Sequence, residues 1–384
     1  MYPDLSYLFH DLFGTARDNW VSIFKTFGLL LVLAILSAAY LLYKELKRRQ
    51  KEGQYTGKKV KFIVGKPASP AEIGSNALLG FVLGYKLLYI FQDFEAFKAD
   101  AAGIILSLTG NMLGGLLGAV AFGAYKWWEG NRQKLPKPKE KITTIYPHDR
   151  IGDITIVAAI TGLIGAKVFA IIEDLPTFFA DPIGMFFSGS GLAIYGGLVG
   201  GFLGVTYYLR RHDIPFWPTA DAIAPALIMG YAVGRVGCQL SGDGDWGIVA
   251  AEQPAWWFLP DWLWSYDYPN NVINEGVPIE GCVGNYCRHL AEGVYPTPLY
   301  EIILSLLIFV ILWAFRKRLQ TYTGTLFFLY LILNGIERFV IEKIRVNQEY
   351  DFLFNWTQAQ IIAVSFMLIG ATGMYLRWRR VKAA

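Results

Sequence analysis

GRVGCQLSGDGDWG, residues 234–247, is the stretch on which the reading of this chain turns. It follows the apolar run DAIAPALIMGYAV, 221–233, which is most of a membrane-spanning helix. Arg235 stands at the end of that run, bracketed by Gly234 and Gly237. Glycines at 234, 237, 242, 244 and 247 let a backbone turn tightly and come close to a ligand. An arginine held there presents a planar fork of donors that matches a phosphate or a carboxylate. The plain alternative is a juxtamembrane arginine snorkelling to lipid headgroups.

The composition sets this stretch in a membrane. Of 384 residues, 54% are hydrophobic and only 17% charged, and the mean hydropathy is +0.35. Soluble domains carry about 25% charged residues, so this chain is solvated mainly by lipid. A net charge of +4 is too small to argue for nucleic acid, and none is expected as a partner. Cys238, Cys282 and Cys287 make no disulfide framework and lack a four-ligand zinc set. The first twenty residues hold Asp4, Asp11 and Asp18 and no basic leader, so no cleavable signal is expected.

In chain order, residues 1–20 are an aromatic-rich outer segment, expected on the membrane surface. The first span, within 21–50, is FGLLLVLAILSAAYLLY, 27–43. Lys44, Lys47, Arg48 and Arg49 follow it, which puts that side in the cytoplasm and the N-terminus outside. Apolar runs at 73–91 and 101–125 form an inserted helical hairpin with its flanks, 51–130. A cytoplasmic linker, 131–150, opens with NRQKLPKPKEK.

Central spans, 151–237, comprise runs at 151–172, 191–209 and 218–234 and end in the signature. A polar outer (periplasmic) insert, 238–297, has no run long enough to span. The C-terminal spans, 298–384, hold runs at 299–315, 323–343 and 358–376. Nine spans place every strong basic cluster, through Arg316–Arg318 and Arg377–Lys382, on one side, with the C-terminus cytoplasmic. The predicted fold class is an all-α integral membrane protein of about nine transmembrane helices with an outer-side insert. Glycines in GNMLGGLLGAVAFGA and AIYGGLVGGFLGV read as close helix packing. No soluble-repeat periodicity, paired inverted repeat, dinucleotide motif or P-loop is evident.

NGIERFVIEKIRVN, 334–347, is the second informative stretch. Helical spacing puts Asn334, Arg338, Glu342 and Arg345 on one face. Charges at the end of an apolar span cost about 2.5–3.5 kcal/mol each at a helix centre unless paired or wet. Either Arg338 and Glu342 tie helices together, or Glu342 orients an arginine whose other donors face an anionic headgroup.

These stretches resemble the prolipoprotein diacylglyceryl transferase family. Its signature, Gly-Arg-x-Gly-Asn, Asn-Gly-Glu and Trp-Gly, is matched at Gly234, Arg235, Gly237, Gly242, Trp246 and Gly247, with one extra residue before Trp246. Cys238 and Ser241 replace the asparagines, and Asp243 replaces the glutamate. Arg-Phe-x-x-Glu-x-x-Arg is reproduced by Arg338, Phe339, Glu342 and Arg345. YPTPLYE, 295–301, is similar to His-Pro-x-Gln-Leu-Tyr-Glu through Pro296, Leu299, Tyr300 and Glu301. GLAIYGGLVGG, 191–201, is similar to the His-Gly-Gly segment, with Tyr195 at the histidine, and Phe27 stands for a family tyrosine.

The resemblance implies transfer of diacylglyceryl from phosphatidylglycerol to the lipobox cysteine thiol of a preprolipoprotein signal peptide. A thioether forms and glycerol phosphate leaves, in the cytoplasmic (inner) membrane of a bacterium, among membrane lipids and without cofactor or metal. Arg235 and Arg338 are the expected clamps for the departing phosphate. Tyr195, Glu342 and Asp243 join them as catalytic candidates. Arg345, Gly234, Gly237, Ser241, Gly247, Tyr300 and Glu301, with the two clamps, are expected to bind phosphatidylglycerol. A thiol of pKa about 8.5 needs a proton acceptor, and tyrosine is a poor one. Asp243 or Glu342 can serve, or the thiol ionises beside the arginines, and the choice stays open. Cys238 reads as a small buried residue, Cys282 and Cys287 as able to pair in an oxidising compartment, His289 as solvated, and Asp221 as a helix cap or a partner of Arg235. A non-catalytic lipid-binding relative and an anionic-solute transporter are the rival functions.

Overall fold

The computed structural model describes residues 1–99, 101–187, 191–347, 349–350 and 356–383. Its helices, in chain order, are α1 (Leu5–Phe13), α2 (Thr26–Lys51), α3 (Pro70–Gln92), α4 (Phe94–Ala99), α5 (Ala101–Leu106) and α6 (Met112–Arg132). They continue with α7 (Ile151–Glu173), α8 (Leu175–Ala180), α9 (Pro182–Phe187), α10 (Ile194–Arg211), α11 (Phe216–Ser241), α12 (Thr297–Phe315), α13 (Thr325–Ile341) and α14 (Gln358–Ala383). Six stretches, Thr26–Lys51, Pro70–Gln92, Pro147–Glu173, Phe216–Ser241, Thr297–Phe315 and Gln358–Arg379, are long and apolar enough to cross a membrane. The chain is thus a mostly helical integral membrane protein. The other long helices at predicted spans, α6, α10 and α13, are glycine-rich, polar-ended or short. The run 101–125 is not one helix, because it breaks between Leu106 and Met112. The chain divides into two units, Met1–Tyr55 with Leu209–Ala384, and Thr56–Tyr208.

In the first unit α11 packs on α2 and α12, α12 on α13, and α13 on α14. Ile228, Ile308, Leu312 and Leu326 form its buried core. The helix α11 does not end near residue 234 as expected. It runs on through Arg235 to Ser241 and stops where Gly242 turns left-handed (φ 64°), its N–H donating to the Cys238 carbonyl at 3.0 Å. Gly234 and Gly237 are therefore helical, and only Gly242 and Gly244 of the signature use a positive φ. Gly237 makes room for α2, since a Cβ there would sit 3.1 Å from that of Leu30. Asp221 is a cap, but of another helix: its carboxylate accepts from the N–H groups of Gly324 (2.7 Å) and Phe327 (2.9 Å) at the start of α13.

Between α11 and α12 the insert closes around Trp246, Tyr268, Leu290 and Val294, and Cys282 and Cys287 form a disulfide. The N-terminal segment packs on this insert. The Met1 ammonium donates to the Pro269 carbonyl at 2.7 Å, and the Tyr286 N–H donates to the hydroxyl of the buried Tyr7 at 3.0 Å.

The second unit holds a repeat that periodicity alone does not reveal. Strands β1 (Lys58–Val64) and β2 (Lys139–Ile145) pair antiparallel, so the segment expected as a linker contains a strand and the fold is not purely helical. Each strand leads into a hairpin, β1 into α3–α6 and β2 into α7–α10. Ile73, Gly84, Lys86, Asp93 and Phe97 of the first copy correspond to Ile154, Gly165, Lys167, Asp174 and Phe178 of the second. The contacts correspond as well. A Cβ on Gly84 would lie 2.1 Å from the Gly114 carbonyl oxygen, and one on Gly165 2.3 Å from that of Gly196. Asn111 N–H donates to Tyr85 at 2.8 Å, as Ala193 N–H does to Ala166 at 3.1 Å. The Lys86 ammonium donates to the Ile104 carbonyl at 2.7 Å, and that of Lys167 to Met185 at 3.1 Å. The inserted hairpin is thus a direct copy of the one that follows it.

Candidate active site

Three helix ends in the first unit meet around one carboxylate. Glu301, in the first turns of α12, is wholly buried. The Arg235 Nε lies 2.9 Å from one of its oxygens. Nη1 of Arg338 (3.3 Å) and of Arg345 (3.4 Å) lie by the other, which also accepts from the Tyr231 hydroxyl at 3.0 Å. Tyr231 precedes Arg235 by one helical turn, and the Arg235 Nε lies 3.3 Å from its hydroxyl. A buried carboxylate needs its charge compensated, and here three guanidiniums and a phenol surround it. The hydrogen bonds all fall on one oxygen, while the other makes the ion-pair contact with Arg235.

Asp245 is the second hub. It pairs with Arg235 Nη1 and, at 2.8 Å, with Arg345 Nη2. Burial works to raise its carboxyl, but the two guanidiniums outweigh that and hold it below the usual carboxylate range. Asp243 goes the other way, pushed up mainly by burial and also by the neighbouring Asp245 charge. It accepts from the Asp245 N–H at 3.3 Å and lies against the Cys238 thiol. Cys238 Sγ and the carboxylates of Asp243 and Asp245 lie within 4.8 Å of one another. A cation there would face Arg235 and Arg345, so the trio suits an anion-binding centre better than a metal site.

Arg345 arrives differently from the expected helical face. The α13 helix ends at Ile341, a 3-10 turn spans Glu342–Ile344, and Arg345 is extended (φ −95°, ψ 155°), bridged to Gly247. Gly247 is required there, since a Cβ would come within 2.5 Å of the Ile344 carbonyl oxygen. Glu342 is paired through one oxygen and hydrogen-bonded through the other. It lies 2.9 Å from Arg338 Nη2 and accepts from Thr357 Oγ1 (2.8 Å) and Asn347 Nδ2 (2.6 Å). The Ser241 hydroxyl is turned back to the Gly237 carbonyl at 2.8 Å, and that of Tyr300 donates to Leu263 at 2.7 Å. Gly234 borders open space. Tyr195 lies on α10 in the second unit.

Sequence reasoning passed over Asp245, Tyr231 and Glu337. Asp245 lay inside the quoted signature, hidden by the extra residue before Trp246. Tyr231 is four residues from Arg235, the spacing of one helix face. Glu337 is an ionisable residue in an apolar span, which by itself is a signal of function. His289, expected to be solvated, has Nδ1 3.2 Å from Asp267.

Comparison with known proteins identifies the family. A family model described as prolipoprotein diacylglyceryl transferase matches residues 127–376, more than half of the chain. A phosphatidylglycerol–prolipoprotein diacylglyceryl transferase of Corynebacterium glutamicum is 31% identical over 200 residues, 51% of this chain and 60% of that protein's length. One from Leptospira interrogans is 25% identical over 404 residues, 98% of this chain and 95% of its own. One from Staphylococcus xylosus is 31% identical over 239 residues, 62% of this chain and 77% of its own. The matched region contains the arginines, Glu301 and the second hairpin, and this chain belongs to the prolipoprotein diacylglyceryl transferase family.

Proposed function

We propose that this protein transfers the diacylglyceryl group of phosphatidylglycerol to the lipobox cysteine thiol of a prolipoprotein, forming a thioether and releasing glycerol phosphate. The convergence of Arg235, Arg338 and Arg345 on Glu301 carries this reading. Attack of the thiolate on the glyceryl carbon breaks the carbon–oxygen bond and loads charge onto a leaving phosphate. Fixed guanidiniums shielded from water stabilise that charge strongly because they need no reorganisation. Asp245 is the more exposed hub, with one arginine on each of its oxygens, and guanidiniums that hold a carboxylate also suit a phosphate. The donor phosphate takes those forks as Asp245 gives way, while Glu301 keeps the guanidiniums in place.

Nine spans, an outer N-terminus and a cytoplasmic C-terminus complete the reading, in the inner membrane of a bacterium. The Cys282–Cys287 disulfide supports an outer position for the insert, because such bonds persist in oxidising compartments. Tyr195 enters through its place in the family segment, as a hydrogen-bonding group for thiol or phosphate.

Purified protein in detergent, given phosphatidylglycerol and a peptide with one lipobox cysteine, tests the reading. The expected result is one glycerol phosphate released for each diacylglyceryl group found on sulfur by mass spectrometry. Lipid binding with neither product would instead indicate a non-catalytic relative.

A further inference from the structure

The centre has no assigned proton acceptor. Tyr195 stands where the family segment has histidine, Glu301, Asp245 and Glu342 are each neutralised by arginines, and Asp243 is held by an N–H and a thiol. Among the described residues, one further carboxyl is buried at this centre. Glu337, next to Arg338 on α13, is 4% exposed, and neither of its oxygens has a hydrogen-bond partner among the described residues. Buried carboxylates in proteins are nearly always satisfied, so an unsatisfied one calls for a functional explanation.

The surroundings of Glu337 are those of the charged centre. Glu301 on α12, Arg235 on α11, Arg338 on its own helix and Arg345 beyond it all act on it electrostatically. The phenols of Tyr231 on α11 and Tyr330 on α13 are also within its field. The helix α14, packed on α13 through Gly335 against Ala363 and Met367, carries no ionisable residue before Tyr375. Glu337 thus shares the site of the phosphate-binding arginines without being bound by any of them in a hydrogen bond.

We propose that Glu337 is the proton acceptor for the incoming thiol. The S–H bond breaks, its proton passes to a Glu337 oxygen and its electron pair stays on sulfur. Sulfur then bonds to the glyceryl carbon as the carbon–oxygen bond breaks, and that electron pair leaves with the phosphate. Glu337 returns to carboxylate by giving the proton to the departing glycerol phosphate. The inference rests on the transfer reaction proposed above, and the two fail differently: without transfer, wild-type protein makes no thioether at all.

The test compares a cysteine peptide with its selenocysteine analogue, whose selenol is ionised at neutral pH and needs no base. Glu337→Gln should lower kcat for the thiol about 10²–10⁴-fold, the usual worth of a general base. Its KM for phosphatidylglycerol should hold within about threefold, and most of the rate should return with the selenol. Glu337→Asp should keep part of the thiol rate and the acidic limb of the pH profile. Equal loss with both nucleophiles would show a structural role and overturn the proposal. So would a wild-type thiol rate in Glu337→Gln, or loss of the acidic limb in Asp243→Asn alone. If Glu337→Gln does not fold, wild-type protein decides: the acidic limb must appear with the thiol and vanish with the selenol, and its persistence with both contradicts a base.

Discussion

The hairpins α3–α6 and α7–α10 share their glycine contacts, their lysine and their capping aspartate. They differ where it counts for chemistry. Leu113 precedes Gly114 and Gly115 in the first copy, and Tyr195 precedes Gly196 and Gly197 in the second. Features that both copies keep belong to the framework. A lysine that binds loop carbonyls and glycines that let two backbones touch serve any hairpin in lipid. The feature found in one copy is the candidate for function. Among the described residues the charged centre around Glu301 has no second copy, in keeping with the role proposed for it.

Removing that centre's hub should therefore have the largest effect. Glu301→Gln leaves three guanidiniums without their shared counter-charge, a loss of about 3–5 kcal/mol for breaking a buried pair. Thermal unfolding in detergent should drop sharply and transfer should vanish. An unchanged melting temperature would remove Glu301 from the centre of the account.

The glycine pairs test the comparison itself. Gly84→Leu and Gly165→Leu each push a side chain into a facing carbonyl, and overpacking of this kind costs about 1–3 kcal/mol. Both variants should lose stability alike, but only Gly165→Leu should lose transfer, because the family match begins at residue 127. Equal loss of activity in both would make the first copy part of the catalytic machinery.

A smaller effect is expected at the point of difference. Tyr195→Phe should slow transfer about tenfold, the value of one hydrogen bond of roughly 1.4 kcal/mol. Leu113→Phe should change nothing. A wild-type rate from Tyr195→Phe would leave the two copies functionally indistinguishable.

The smallest effect concerns pH. Asp245 has its folded-state affinity for protons lowered by Arg235 and Arg345, so it stabilises the fold above the ordinary carboxylate range. That contribution disappears as pH falls through its depressed folded value. Wild-type protein should lose melting temperature on acidification below that range, and Asp245→Asn should lose less over the same interval.

Much of this was legible in the chain. Apolar runs and basic clusters located the long helices, because a span's length and flanking charges are set by the bilayer. Arg235, Arg338 and Arg345 stood out as charges at the ends of apolar spans, and Glu301 through the resemblance of 295–301 to a family segment. What stayed hidden depended on neighbours distant in sequence. The helix α11 ran on past Gly234 and Gly237 to Ser241 against their low helix propensity, with Gly237 packed on α2, and Gly242 ended it. Arg345 reached the centre through an extended bridge to Gly247, not through helical spacing. Asp245 could be told from Asp243 only by which carboxylate meets the arginines. The hairpin duplication is faint in sequence because most of its positions face lipid, where any apolar residue serves, and only the contact-making glycines and polar residues persist.

If the guanidiniums gathered on Glu301 handle the donor phosphate, each of them is needed for transfer. The most direct measurement is thioether formation on the lipobox peptide by Arg235→Ala and Arg338→Ala, followed by mass spectrometry beside wild-type protein. The modified peptide should disappear in both variants. Modified peptide formed at the wild-type rate by either one would contradict it.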